Sequence, residues 1–348
     1  MIRVASDTND FFDLLFVIGL SQILEATGGS PVALHWDARS PDAVIEGAGS
    51  LTEAAQRVHE HARRHAGADT WVGAVGNQEG RTRGVLSPRV GRFGDAEAWR
   101  HWQAQRHRTI DTIAPEDVAD LRFVGGLGEP AYWCTGRTGT QPGHGASAWE
   151  MKTRNRGEEF VQNRLHVLAR WVSEREVDAV ESGLAGATTV DEAGKNSVTS
   201  RTPTGLRPPG ITDNARAWCA LWGLSAFPVR PVAPTATVTA PYSRTAAAPR
   251  EPGARLVGVP VVSAPVTLAS YRAIVRGAHL AEVTSHAARN VLGVQGDNDA
   301  PDVNVGKTWL RAHRVEGVTV GRKVFSDNAN APEPWLEFLT FESVADGG

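Results

Sequence analysis

The residues with the most obvious chemical potential are three histidines, His59, His61 and His65, within one stretch of helical composition. His61 and His65 stand four apart, so on a helix they share a face at a spacing suited to zinc. A zinc protease would also need a glutamate directly after the first histidine of the pair, but Ala62 and Arg63 follow His61. Arg63 and Arg64 add positive charge beside the pair. We therefore expect a solvated helix face, with no metal and no cofactor.

Three other motifs fail for physical reasons. Gly306-Lys307-Thr308 ends like a phosphate-binding loop, yet Pro301 stands where the first glycine is needed. Without that curve, backbone N–H groups cannot converge on a phosphate. Gly223-Leu224-Ser225-Ala226-Phe227 departs from the nucleophile elbow at its last position, and the segment around Ser21 fails in the same way. There a bulky residue cannot relieve the strained turn as glycine does. The acids Glu116/Asp117 and Glu158/Glu159 are adjacent in sequence. Adjacent positions on a helix diverge, so these suit N-terminal turns, where they complement the helix dipole. No pattern of catalytic residues emerges, and the expectation is a protein that is not an enzyme.

What remains is basic residues among glycines and aromatics. Arg81 and Arg83 lie in a Gly/Arg-rich stretch with Arg89 and Arg92. Arg137, Lys152, Arg154 and Arg156 bracket a second one, with Trp133 and Trp149 nearby as candidate stacking groups. Arg311, Arg314, Arg322 and Lys323 fall on an expected C-terminal hairpin. Guanidinium groups fork onto phosphate oxygens, and indoles stack on bases. Without Arg89 and Arg92, ten of these basic residues form the candidate nucleic-acid-binding set. Ordinary surface arginine is the competing reading, since 32 of the 36 basic residues are Arg.

The bulk properties set limits. With 348 residues, the chain can bury a large core. Apolar residues make up 41% and charged residues 22%, which is globular composition. Net charge is −3, but residues 201–330 hold 15 Lys+Arg against 8 Asp+Glu. A near-neutral total can thus contain a basic face. Only two cysteines are present, Cys134 and Cys219, too few for a disulfide framework, and a reducing cytoplasm is expected. The apolar run Phe11–Leu20 lacks a basic leader and contains Asp13, so neither a signal peptide nor a membrane span is expected.

The elements that must position these residues read as a mixed α+β (α/β) fold. Helices are expected over about 10–25, 51–64, 95–108, 156–182, 215–224 and 268–283. Strands are expected over 31–36, 71–75, 256–262, 307–313, 317–325 and 335–344. Residues 78–94 and 135–146 are expected to be loops, and 183–210 a polar linker. The division is an N-terminal mixed α/β domain, 1–200, with long helices and basic Gly-rich loops, and a C-terminal helix plus β-rich domain, 201–348. One internal echo links the two: Phe16-Val-Ile-Gly-Leu-Ser-Gln22 and Ala220-Leu-Trp-Gly-Leu-Ser-Ala226. Helix packing at a small residue, together with chance, accounts for it.

Several segments together resemble a known group. Phe16–Leu20 followed by Val32-Ala-Leu-His-Trp36, then Ala148-Trp-Glu-Met-Lys152-Thr153, then Ala220–Pro228 are similar to the large-subunit-like proteins of type I CRISPR effector complexes, subtype U/G. The resemblance covers about residues 8–230. It implies a non-catalytic subunit of a crRNA-guided, Cascade-like antiviral defence complex. Such a subunit contributes to DNA binding, flanking-motif recognition and R-loop stabilisation. Its partners would be other effector-complex subunits, guide RNA and target DNA through the complex, and a helicase-nuclease, with no membrane. Another nucleic-acid-binding defence protein, or an enzyme with dispersed catalytic residues, are the alternatives.

Overall fold

The structure is a computed structural model. It describes residues 1–37, 39–40, 42–78, 80–87, 93, 95–127, 133–136, 139–142, 160–227, 242–244, 255–293, 303–327 and 334–345. In chain order the elements are β1 (Ile2–Ala5), α1 (Phe11–Gly28), β2 (Ala33–Trp36), β3 (Asp42–Glu46), α2 (Leu51–His65), β4 (Val75–Gln78) and β5 (Arg81–Gly84). Then come α3 (Ala96–Asp111), α4 (Val118–Leu127), β6 (Trp133–Gly136), β7 (Gly139–Pro142), α5 (His166–Glu174), α6 (Val177–Ala185) and α7 (Asn214–Gly223). The last elements are β8 (Tyr242–Arg244), β9 (Arg255–Val262), β10 (Val266–Thr267), α8 (Leu268–Arg276), α9 (Ala278–Leu292), α10 (Val303–Ala312), β11 (Val315–Phe325) and β12 (Pro334–Ser343). The fold is mixed α+β.

Two antiparallel four-stranded sheets run in the orders β1-β3-β2-β10 and β12-β11-β9-β8. Sheet order alone crosses the boundary expected near residue 200, because β10 pairs with β2 through Val266↔Leu34. One continuous apolar cluster runs from Ile2 to Val344. The two regions read from sequence therefore share a core.

The centre of that core is α1. Asp10 caps it by accepting from Phe12 N, and Gly29, with φ +66°, ends it in the left-handed conformation. The helix is long and apolar enough to span a membrane. Its side chains from Leu14 to Leu24 are instead buried on every side, as expected of a helix apolar all round inside a large core. It lies directly on α7. A Cβ on Gly19 would sit 1.7 Å from Cys219 O, and one on Gly223 would sit 2.2 Å from Leu15 O. The two echoing Gly-Leu-Ser segments thus pack backbone to backbone, each glycine making room for the other helix.

Several sequence expectations need correction. Residues 307–312 form part of α10, because Gly306 and Leu310 are buried one helical turn apart, a period-3.6 pattern. The helix expected over 156–182 is interrupted. A π-helical turn, Val161–Leu165, leads into α5, and Arg175, with ψ 153°, separates α5 from α6. The helix expected over 268–283 is two helices meeting at Gly277. Trp71 lies in a turn ahead of β4 rather than in a strand. Within the expected loops 78–94 and 135–146 lie β5 and most of the β6–β7 hairpin.

The expected linker 183–210 is a packed loop. Asp191 is fully buried within it and accepts from Gly194 N (2.8 Å), Thr202 Oγ1 (2.6 Å) and Asn214 Nδ2 (3.0 Å) on Oδ1. Its Oδ2 accepts from Thr212 N at 3.3 Å. A polar, Pro/Gly-containing composition suits an exposed linker and a loop hydrogen-bonded to itself equally well, and here the second was formed.

Candidate functional site

The histidine pair is not on a solvated face. Helix α2 starts with a capping box, in which Ser50 Oγ accepts from Glu53 N and Glu53 Oε2 accepts from Ser50 N. The helix buries Ala54, Val58, His61 and His65, spaced four, three and four apart. His61 and His65 therefore continue the apolar stripe inward and are each about 1% exposed. Arg63 and Arg64 are exposed. His59 is half-buried, with Nε2 3.1 Å from Ser173 O.

Three further elements close around the pair. Helix α7 brings Trp218 and Trp222, four apart, with ring centroids 5.5 and 4.4 Å from His61. The turn before β4 brings Trp71, and α4 brings Asp120 and Phe123. His65 Nδ1 lies 2.7 Å from His61 O and must carry a proton to donate to it. His65 Nε2 lies 3.1 Å from Asp120 Oδ2, which also accepts from Trp71 Nε1 at 3.1 Å. The His65–Asp120 contact therefore holds one proton between two groups that would otherwise both be acceptors.

The protonation states are set by the surroundings. Burial alone would raise the Asp120 carboxyl. The hydrogen bond and charge of His65, the Trp71 N–H and the Arg64 charge outweigh burial and hold the carboxyl below its usual range. Burial pushes His61 well below the usual imidazole range, reinforced by the charges of His65 and Arg64. His61 is thus neutral. Its Nδ1 accepts from Trp218 Nε1 at 3.2 Å, so the ring proton is on Nε2. Three buried polar atoms here have no hydrogen-bond partner among the described residues: His61 Nε2, Asp120 Oδ1 and Trp222 Nε1.

One ligand atom from each of His61, His65 and Asp120 lies within 4.8 Å of the others. Asp120 also forms part of the wall of a cleft of about 220 Å³, with Gln22, Glu25, Arg64, Arg122 and Arg272 around it. Arg272 is 3.7 Å from Glu25, and its Nη1 is buried without a partner among the described residues.

The motif residues that failed on sequence have structural duties. Ser225 Oγ donates to Gln22 Oε1 and Trp222 O, and Ser21 Oγ donates to Val17 O. Burial pushes the Cys219 thiol up, which disfavours the reactive thiolate. Lys307 is ion-paired to Glu342.

The six described members of the basic set sit on separate elements, β5, α10, the turn after it and β11. Arg137, Lys152, Arg154 and Arg156 lie outside the described residues, as do Arg89, Arg92 and Trp149. Arg81 is exposed at the start of β5, whereas Arg83, two residues on, is buried. Arg311 and Arg314 are not on the C-terminal hairpin. Arg311 ends α10 and reaches Val344 O at 3.4 Å. Arg314, with φ +67°, occupies the turn into β11 and donates to Pro265 O. Arg322 and Lys323 are on the hairpin; Arg322 is paired with Glu337 at 2.8 Å, and Lys323 Nζ lies 5.7 Å from the Phe325 ring centroid.

The buried His–Asp–Trp cluster was missed on sequence because Asp120 lies 55 residues from His65. The four-three-four spacing running into the histidines was the available signal for its α2 half. No family model, curated protein or solved structure matches this chain.

Proposed function

We propose that the chain is a non-catalytic subunit of a crRNA-guided type I CRISPR effector complex, acting in the cytoplasm. In this role it adds DNA-backbone and flanking-motif contacts while base pairing reads the sequence. The supporting observation is that segments carrying the resemblance interlock. Phe16–Leu20 and Ala220–Phe227 meet through Gly19 and Gly223 at the centre of the core, with β2 on the same framework. Among the described residues, these segments pack as one structural unit. Arg81 at the exposed β4–β5 turn is a described basic residue free to reach a phosphate. The test is co-expression with neighbouring genes and a CRISPR array, followed by pull-down on this chain. Recovery of guide RNA and further subunits is expected. A clean monomer that binds a specific DNA tightly by itself overturns the reading.

An enzyme with dispersed residues is the second reading, favoured by the His65–Asp120 pair standing behind the wall of a cleft. Hydrolysis of nucleotide or DNA by the purified chain, lost in Asp120→Asn, would establish it in place of the first.

A further inference from the structure

We propose that His61, His65 and Asp120 form a binding site for one divalent transition-metal ion of the zinc class, tying α2 to α4. The donor set is two imidazole nitrogens and one carboxylate, which suits zinc, cobalt or nickel and is too rich in nitrogen for magnesium or calcium. The three ligand atoms already lie within 4.8 Å of one another. The His65 Nε2–Asp120 Oδ2 separation is 3.1 Å. The edge of a tetrahedron with bonds of about 2.0–2.1 Å is roughly 3.3 Å, so that pair needs almost no movement.

Two independent features mark a missing partner. His61 Nε2 and Asp120 Oδ1 are buried polar atoms on side chains more than nine-tenths buried, and neither has a hydrogen bond among the described residues. Orphans of this kind are costly unless something pairs with them. His65 is also oriented as a metal-binding histidine is, its Nδ1–H held on a backbone carbonyl and its Nε2 aimed inward. Bound metal takes the place of the proton between His65 and Asp120, and that proton passes to solvent. Three protein ligands leave one tetrahedral position for water. The adjacent Arg63 and Arg64 side chains are exposed, and Asp117, 3.8 Å from Arg64, offsets part of the charge that Arg64 sends to His61 and Asp120.

One contact opposes the ion. A neutral imidazole that ligates through Nε2 carries its proton on Nδ1, where it would face the N–H of Trp218, 3.2 Å away. Loading therefore sacrifices the Trp218 hydrogen bond. Trp218→Phe removes that opposition while keeping an aromatic ring in the cluster. This inference does not depend on the effector-subunit reading.

The experiment uses the full chain, stripped with chelator and titrated with Co²⁺ and Zn²⁺. Its readouts are the visible absorption of tetrahedral Co²⁺ and calorimetric stoichiometry, with circular dichroism confirming the fold. One equivalent per chain is expected, with tighter binding by several-fold in Trp218→Phe. Asp120→Asn and His61→Gln should each weaken binding by more than about 100-fold, beyond the loss typical of an outer-shell partner. The proposal is overturned if the folded wild type shows no saturable one-equivalent site, or if Trp218→Phe binds no more tightly. It is equally overturned if folded Asp120→Asn binds like the wild type. Wild type and Trp218→Phe carry the test even where the ligand variants fail to fold.

Discussion

Asp191 and Asp120 are both buried carboxylates, and they are used in opposite ways. Asp191 is surrounded by donors from its own loop and from the start of α7, none further along the chain than Asn214, and each oxygen is engaged. Asp120 receives its bonds from His65 and Trp71, on other elements, and keeps Oδ1 free. The first arrangement folds a segment onto itself. The second brings distant elements to a point and leaves coordination capacity there. Satisfied buried acids staple, and partly satisfied ones mark where chemistry can be received.

That contrast is broken most severely by Asp191→Ala. Four donors lose their acceptor, and each unpaired buried donor costs about 1–3 kcal/mol. Relaxation and water entry recover part, so the expected loss is about 5 kcal/mol in denaturant unfolding. Asp120→Asn leaves fewer donors stranded. It removes one partner of a buried ion pair, a change that typically costs about 3–5 kcal/mol, and the amide keeps an acceptor for Trp71. We expect about 3 kcal/mol, the lower end of that range. If Asp120→Asn proved the more damaging of the two, the division into staple and receiving site would be wrong. Zinc sharpens the comparison further. Excess Zn²⁺ should raise the unfolding midpoint of the wild type and of Asp191→Asn, and leave Asp120→Asn unmoved.

Next in size is Gly19→Ala, which tests whether the α1–α7 contact aligns the cluster. The added methyl would meet Cys219 O at 1.7 Å, and backbone cannot swing aside as a side chain can. Overpacking of this kind costs about 1–3 kcal/mol. Because α7 carries Trp218 and Trp222 to the histidines, the variant should also change tryptophan emission. Unaltered stability would show that the helices part freely.

Much of this framework was legible. The helices near 95–108 and 215–224 and the β9, β11 and β12 strands follow from apolar periodicity and Val-rich runs. Residues 183–210 were not, because Ser, Thr, Asn, Gly and Pro serve linkers and self-bonded loops alike. The site was half legible. His61 and His65 share a face by simple periodicity, but the charge of Arg63 and Arg64 suggested water on that face. Arg63 diverges from His61 by about half a turn, and Arg64, though near that face, is long enough to carry its charge out to solvent while the histidines stay buried. Asp120 and the tryptophans reach the histidines only through tertiary packing, which no local spacing encodes.

The smallest expected effect separates a third acid from the other two. Asp10 caps α1, accepting from Phe12 N, and is 3.2 Å from Arg207. Burial, then the charge of Asp13, raises its carboxyl above the usual range, outweighing Arg207 and the Phe12 N–H. This is the reverse of Asp120. Folded Asp10 holds its proton at higher pH than the unfolded chain does. Its contribution is therefore fully present below the unfolded value of about 3.9 and is lost as pH rises through the folded value. Asparagine caps a helix about as well as aspartate and has no proton to lose. Asp10→Asn should thus gain stability relative to wild type as pH rises across that window, and hold the gain above it. The Arg207 pair it gives up is partly exposed and worth little. The gain follows from the raised proton affinity of the folded carboxyl. Urea unfolding of both chains across the weakly acidic range measures it. A difference that shrinks with rising pH would mean that Asp10 behaves as Asp120 does, held as a carboxylate by its partners.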